Sequence, residues 1–336
     1  MSTTSSTSVP LGLLATVALA CLGFAFAPSP PPPPPMDPEE IAALQRSIDR
    51  LVADTRGWQA SRGDRMLAWD AAEGHLAIVI DDIGRELHLF EQLLDLRYNL
   101  SFSVLPGAVY AAGTQLRLRE DRRRYREIML HLPMEPIEGA RMTEGVEAQE
   151  HFLLGSDDAD TLRTKLADAL ARVPAAVGVN NHMGSRLSTD RAAMDALMPL
   201  LHERGLFFVD SRTSAQTVAE DAARAAGVPA AARRVFLDDD PSPDAIEREL
   251  QRAATLSRTE PVIVIAHSSP AVVDVLRTRL PELYAQRIGV YPVSTVVQHL
   301  LQNQERHGAL VIPPTAPGEP VRAPRHPTHE GDANDD

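Results

Sequence analysis

From His75 to about Leu300 the chain repeats one hydropathy pattern. A short unbroken apolar run is followed by a polar turn, then by a longer segment whose apolar positions recur every three or four residues. Unbroken runs suit strands buried on both faces, and the three-to-four spacing suits helices with one apolar side. The pattern predicts strands over 76–80, 100–104, 127–130, 176–179, 207–209, 234–237 and 262–266. Between them it predicts helices over 86–96, 159–172, 191–204, 215–226, 243–255 and 270–284. Strands that alternate with helices imply a parallel sheet of the α/β class. Seven such units suit a closed or nearly closed barrel better than an open sheet.

The flanks read differently. Residues 11–27 are apolar and end in Ala25-Phe26-Ala27, a small-x-small sequence of the kind cleaved from exported proteins. A cleaved signal peptide, an uncleaved N-terminal membrane anchor and a lipoprotein signal ending at Cys21 all fit. Each predicts an exported, periplasmic domain that meets the membrane only through residues 1–27. The proline run then makes 28–38 a stiff polyproline II spacer. A helical lead-in is expected over 39–74, opened by Asp37-Pro38-Glu39-Glu40 and striped by Ile41, Leu44, Ile48, Leu51 and Val52. The main domain is expected over 75–302. Residues 303–336 are rich in Pro, His and acids without apolar periodicity, which predicts a disordered tail.

Composition narrows the chemistry. The net charge of -13 argues against nucleic acid, whose phosphates need a basic patch. The single cysteine, Cys21, lies in the N-terminal apolar run, so a metal site in the domain must use His, Asp and Glu. Aromatic residues are 4% of the chain, few for stacking on sugars.

Polar residues collect at one place in each repeat, the carboxyl end of the strand. The first predicted strand runs into Asp81-Asp82-Ile83-Gly84, the third into His131-Leu132-Pro133-Met134-Glu135, and the fourth into Asn180-Asn181-His182-Met183-Gly184-Ser185. The fifth runs into Asp210-Ser211-Arg212-Thr213, the sixth into Asp238-Asp239-Asp240, and the seventh into His267-Ser268-Ser269. In parallel barrels these ends share one face, where sites are built. Taken singly, Asp81-Asp82 could cap a helix, Asn180-Asn181 could make a turn and His267 could be a core histidine. Asp238–Asp240, ahead of Pro241, read as the solvated start of a helix. Together the carboxylates, imidazoles and amides predict a site.

These motifs, Ile78 to Gly84, Met129 to Pro136, Val179 to Ser185 and Phe208 to Thr213, resemble those of the divergent polysaccharide deacetylases, a branch of the NodB-like carbohydrate esterases. The resemblance implies a (β/α)7 barrel with a divalent metal, zinc foremost, at its mouth. It matches Asp81 to a general base, Asp82 to a metal ligand, His131 to a second ligand and His267 to a general acid. It places an oxyanion-binding loop near Asn180 to Ser185 and makes Asp210 the nearest counterpart of a buried aspartate that tunes the acid or base. Where the orthodox family has a second histidine four residues after the first, this chain has Glu135, and Pro133 breaks the turn between. His182 is then the candidate third ligand. Glu135, Asn180, Asn181, Ser185, Ser211 and Arg212 are expected to bind substrate or to orient these groups, Glu135 acting on His131 or Arg212. The implied activity is deacetylation of an envelope glycan, with peptidoglycan one candidate. A non-catalytic envelope protein that keeps the barrel to bind glycan or a partner is the alternative.

Overall fold

The structure, a computed structural model, describes residues 65–137 and 151–308. The leader or anchor, the proline-rich spacer, the helix expected near 39–56 and the tail beyond 308 lie outside the described residues. The elements run β1 (Gly74–Ile83), α1 (His88–Asp95), β2 (Ser101–Val104), α2 (Ala111–Arg119), β3 (Ile128–Met134), α3 (Ala159–Arg172), β4 (Gly178–Met183), α4 (Arg191–Glu203) and β5 (Phe207–Asp210). They continue α5 (Ala219–Ala225), β6 (Ala230–Ala232), β7 (Val235–Phe236), α6 (Pro243–Leu256), β8 (Val262–His267), α7 (Pro270–Ala285), β9 (Ile288–Val290) and α8 (Val293–Gly308).

Strand pairing is parallel throughout, in the order β6-β5-β4-β3-β2-β1-β8-β7, with β9 added against the start of β1. β6 and β7 are one stretch of chain. The Arg233 N–H bonds the Asp210 carbonyl of β5 at 2.9 Å, and the next N–H, of Arg234, bonds the Ile263 carbonyl of β8 at 2.9 Å. That stretch is the seventh stave and joins the two edges of the sheet. The expected (β/α)7 barrel is the fold.

Side-chain alternation sorts the strands into two cores. Leu76, Ile78 and Ile80 of β1 join Phe208 and helix residues such as Phe90, Leu197 and Leu276 in the layer between strands and helices. Ala77, Val79, Met129, Val209, Ile263 and Ile265 face the barrel interior, where they meet Tyr291, Val296 and Val297. Asp158, Asp190 and Ser269 accept bonds from backbone N–H groups and start α3, α4 and α7.

Some elements differ from expectation. β3 and β4 run to Met134 and Met183, because their polar ends stay in register: His131 pairs with Asn180 and Pro133 with His182. Helices α2 and α8 and strands β6 and β9 escape the hydropathy pattern; β6 is three alanines, too small to mark an apolar run. Helix α8 continues to Gly308, so residues 303–308 belong to the fold rather than to the tail.

Candidate metal centre

Alternation decides which polar residues enter the barrel mouth. Asp81 follows Ala77 and Val79 on the inward face of β1, and His131 follows Met129 on β3. Asp82 would point outward, but the β1–β2 register shifts between Ile80 and Ile83, and Asp82 itself has φ +60°. A non-glycine residue in the left-handed region carries strain that its surroundings must hold. The result is that both aspartates reach His131: Asp81 Oδ2 lies 3.5 Å and Asp82 Oδ1 3.4 Å from its Nε2.

Three atoms form a nearly equilateral triangle. His131 Nε2 and Asp82 Oδ1 are 3.4 Å apart, His182 Nδ1 and Asp82 Oδ1 3.3 Å, and the two histidine nitrogens 3.2 Å. Ligands at about 2.0–2.1 Å in a tetrahedral site are spaced about 3.3 Å from one another, so the triangle has the size of a zinc-like site. Asp82 Oδ1 is buried and accepts no hydrogen bond, although two imidazole nitrogens face it. One oxygen and two nitrogens, with one edge open, is a donor set that fits a divalent ion.

Asn180 ties His131 to Asp81. Its Oδ1 accepts from His131 Nδ1 at 3.1 Å and from the Ser103 hydroxyl; its Nδ2 donates to Asp81 Oδ1 at 2.9 Å and to Ser211 Oγ at 3.2 Å. With its proton on Nδ1, His131 presents a lone pair at Nε2 toward the triangle. Burial pulls His182 down to about 4, which leaves it neutral as a ligand must be; burial opposes charge on His131 too, but Asp81 and Asp82 raise that ring, so an ion binding there must displace its Nε2 proton. Burial also favours neutral Asp82, but His131 and His182 outweigh it and hold the carboxyl well below the usual range. Burial raises Asp81 above the usual carboxylate range against the pull of His131 and His267.

His267 stands in register with Asp81 across the β1–β8 pair. Its Nδ1 lies 3.3 Å from Asp238 Oδ2, and its backbone N–H bonds the same oxygen at 3.1 Å. Burial favours the neutral ring, but the bond to Asp238 and the charges of Asp82 and Asp81 raise it to about 9. One barrel mouth thus holds a buried carboxylate able to take a proton and an imidazolium able to give one.

Three expectations need correction. Asp210 has the parity of Phe208 and lies outside the interior, where it accepts from Arg212 N and Thr217 Oγ1, each at 2.8 Å. The aspartate that tunes the histidine is Asp238, which sequence reasoning set aside as a helix start. Glu135 orients neither His131 nor Arg212. In an extended strand, positions four apart are about 13 Å apart, and Glu135 instead accepts from Arg186 Nη1 at 2.9 Å and Gly155 N at 2.8 Å.

Asn181, Ser185 and Arg212 shape the rim. Asn181 bonds Met183 O and Ser211 N, Ser185 Oγ accepts from Ile137 N, and Arg212 has φ +50°. Ser103 and Arg233 went unnoticed in the sequence. The alternating serines of Ser101-Phe102-Ser103 inside a buried strand were the available signal.

A sequence model of the family described as divergent polysaccharide deacetylase matches residues 78–297. The uncharacterized protein YibQ of Escherichia coli is 35% identical over 205 residues, 61% of each chain. An uncharacterized protein of Haemophilus influenzae is 33% identical over 213 residues, 63% of this chain and 73% of its own. The chain thus spans less than two thirds of the first relative's length. The crystal structure of an uncharacterized protein from Agrobacterium tumefaciens superposes with a TM-score of 0.61 at 22% identity, covering 70% of this chain and 94% of that one, and so shares the fold.

Proposed function

The chain belongs to the divergent polysaccharide deacetylase family, and from that premise we propose that it is a metal-dependent hydrolase that removes acetyl groups from an envelope glycan. The observation that carries this reading is the pairing of Asp81 with His267 in register beside the Asp82–His131–His182 triangle. A structural ion site needs three or four ligands; it has no use for an adjacent base and acid held in opposite protonation states.

Asp82, His131 and His182 would hold the ion, with zinc the best match to two imidazoles and a carboxylate. When bound, it supplies a Lewis acid and lowers the pKa of water toward ~7. Asp81 takes a proton from the attacking water, and Asn180 keeps its carboxylate turned to that position. The water oxygen bonds to the acetyl carbon, the C–N bond breaks, and the leaving nitrogen takes its proton from His267. Asp238 keeps His267 charged and aimed. The envelope location rests on residues 11–27; among the described residues no helix is long and apolar enough to cross a membrane.

Asp81→Asn tests the reading. It should keep fold and metal content yet lower acetate release from N-acetylated glycan by about 10²–10⁴-fold. Wild-type protein that holds metal, binds glycan and releases no acetate from any envelope substrate would leave a binding protein as the answer.

A further inference from the structure

Two arginines in contact stand on the rim of the mouth. Arg233, of the stretch joining β6 to β7, donates from Nε to the Ser211 carbonyl at 2.6 Å and from Nη2 to the Arg212 carbonyl at 3.0 Å. It is thereby tied to the site through Ser211, whose Oγ accepts from Asn180, which holds Asp81. Its carbon Cζ lies 4.7 Å from the Phe236 ring centroid, and that ring meets His267 edge-on at 5.3 Å. Arg212, exposed, extends from a backbone pinned at φ +50° by the Asp210 carboxylate and by Ser211 N–H bonded to Asn181.

Neither arginine forms an ion pair among the described residues. Others in the domain do: Arg186 with Glu135, Arg224 with Glu220 and Arg234 with Glu260. The acids around the pair are committed elsewhere or distant. Asp210 is bonded to Arg212 N and Thr217 and Asp81 to Asn180, and these two with Asp239 act on Arg233 only through longer-range attraction. Burial and the neighbouring charge of Arg212 both disfavour a charged Arg233, so the pair is held together against repulsion. In a chain of net charge -13, two like charges held beside a site without a carboxylate in ion-pair contact are arranged for something that arrives.

We propose that Arg212 and Arg233 recognise an anionic substituent, carboxylate or phosphate, on the glycan that enters the barrel mouth. Guanidinium groups match the planar oxygens of both. The Arg233–Phe236–His267 contact puts this subsite on the side where the leaving amine is protonated, so the anion belongs to the sugar that keeps the amine or to its neighbour. The inference rests on the deacetylase reading for the substrate's place and on the arginines for its charge.

The test is titration of the full-length protein with three N-acetylglucosamine oligomers of equal length: one neutral, one with carboxylate ethers on alternate sugars, one ending in a phosphate. The wild type should bind an anionic oligomer about tenfold more tightly than the neutral one at low salt, with the gap shrinking as salt rises. Whichever anion is preferred identifies the source. Arg212→Gln and Arg233→Gln should each remove most of the gap between the anionic and the neutral oligomers. If Arg233→Gln fails to fold for want of its carbonyl bonds, the exposed Arg212→Gln decides. Equal affinities for neutral and anionic oligomers, no binding of either anionic oligomer, or variants that keep the preference would overturn the proposal. Acetate release, measured on the same oligomers with zinc, is a separate readout: its absence overturns the deacetylase reading and leaves the affinity result standing.

Discussion

Replacing Asp238 by asparagine removes one charge from beside His267 and keeps an oxygen for its backbone N–H. His267 is held at about 9, against an ordinary value near 6.5. At about 1.36 kcal/mol per unit, the whole shift corresponds to about 3 kcal/mol. The His267 side chain is 42% exposed, and solvent screening reduces the usable part to about half. Asp238 shares that part with Asp82 and Asp81, so Asp238→Asn should lower the His267 pKa by about one unit. The sign follows from a raised folded pKa. The stabilisation is fully present below about pH 6.5 and is lost as pH rises through about 9. Wild type and variant should therefore differ most in stability below pH 6.5 and converge above 9. A general acid must be protonated, so the alkaline limb of kcat/KM should move to lower pH by the same amount. NMR titration of the His267 ring protons in both proteins measures the shift directly. A His267 that titrates identically in the two would show that Asp238 does not set its charge, and the assignment of the acid would fall with it.

Two further outcomes follow from the site and the fold. His182→Ala should abolish stoichiometric zinc binding by equilibrium dialysis, whereas Glu135→Gln should keep it, because Glu135 is committed to Arg186 and Gly155; equal loss in both would place Glu135 at the ion. Asp121 accepts from Arg123 and from the buried Arg126, and although burial opposes its charge these bonds hold its carboxyl far below the usual range. Asp121→Asn should cost about 3 kcal/mol of unfolding free energy at pH 7, and the gap to wild type should close as pH falls below the ordinary carboxylate pKa of about 3.9. A gap that persists in acid would show that packing, not charge, is the cause.

The barrel was legible because its strands are unbroken apolar runs and most of its helices carry apolar residues at three-to-four spacing. Asp81, Asp82, His131 and His182 were legible because each stands at or just past the point where such a run stops. Periodicity failed where side-chain direction mattered. Asp210 and Asp238 both follow apolar runs, yet only parity separates the one facing the helix layer from the one beside His267. Asp82 breaks parity through a bulge and a positive φ that no residue type announces. Glu135 was misassigned because β3 stays extended through Pro133, which puts it beyond reach of His131.

Asn180 joins Asp81 to His131, yet a carboxamide conducts no proton. Its nitrogen gives hydrogens to Asp81 and Ser211 and its oxygen takes them from His131 and Ser103, so every link is filled and none can reverse. The side chain acts as a rigid joint and an electrical insulator at once. Asp81 and His131 keep a fixed spacing, and no proton passes between them by way of the amide, which leaves only their direct approach of 3.5 Å from Oδ2 to Nε2. An aspartate of the same shape at this position would keep the joint but open a second route. It would also set a third negative charge between two groups whose protonation must stay distinct.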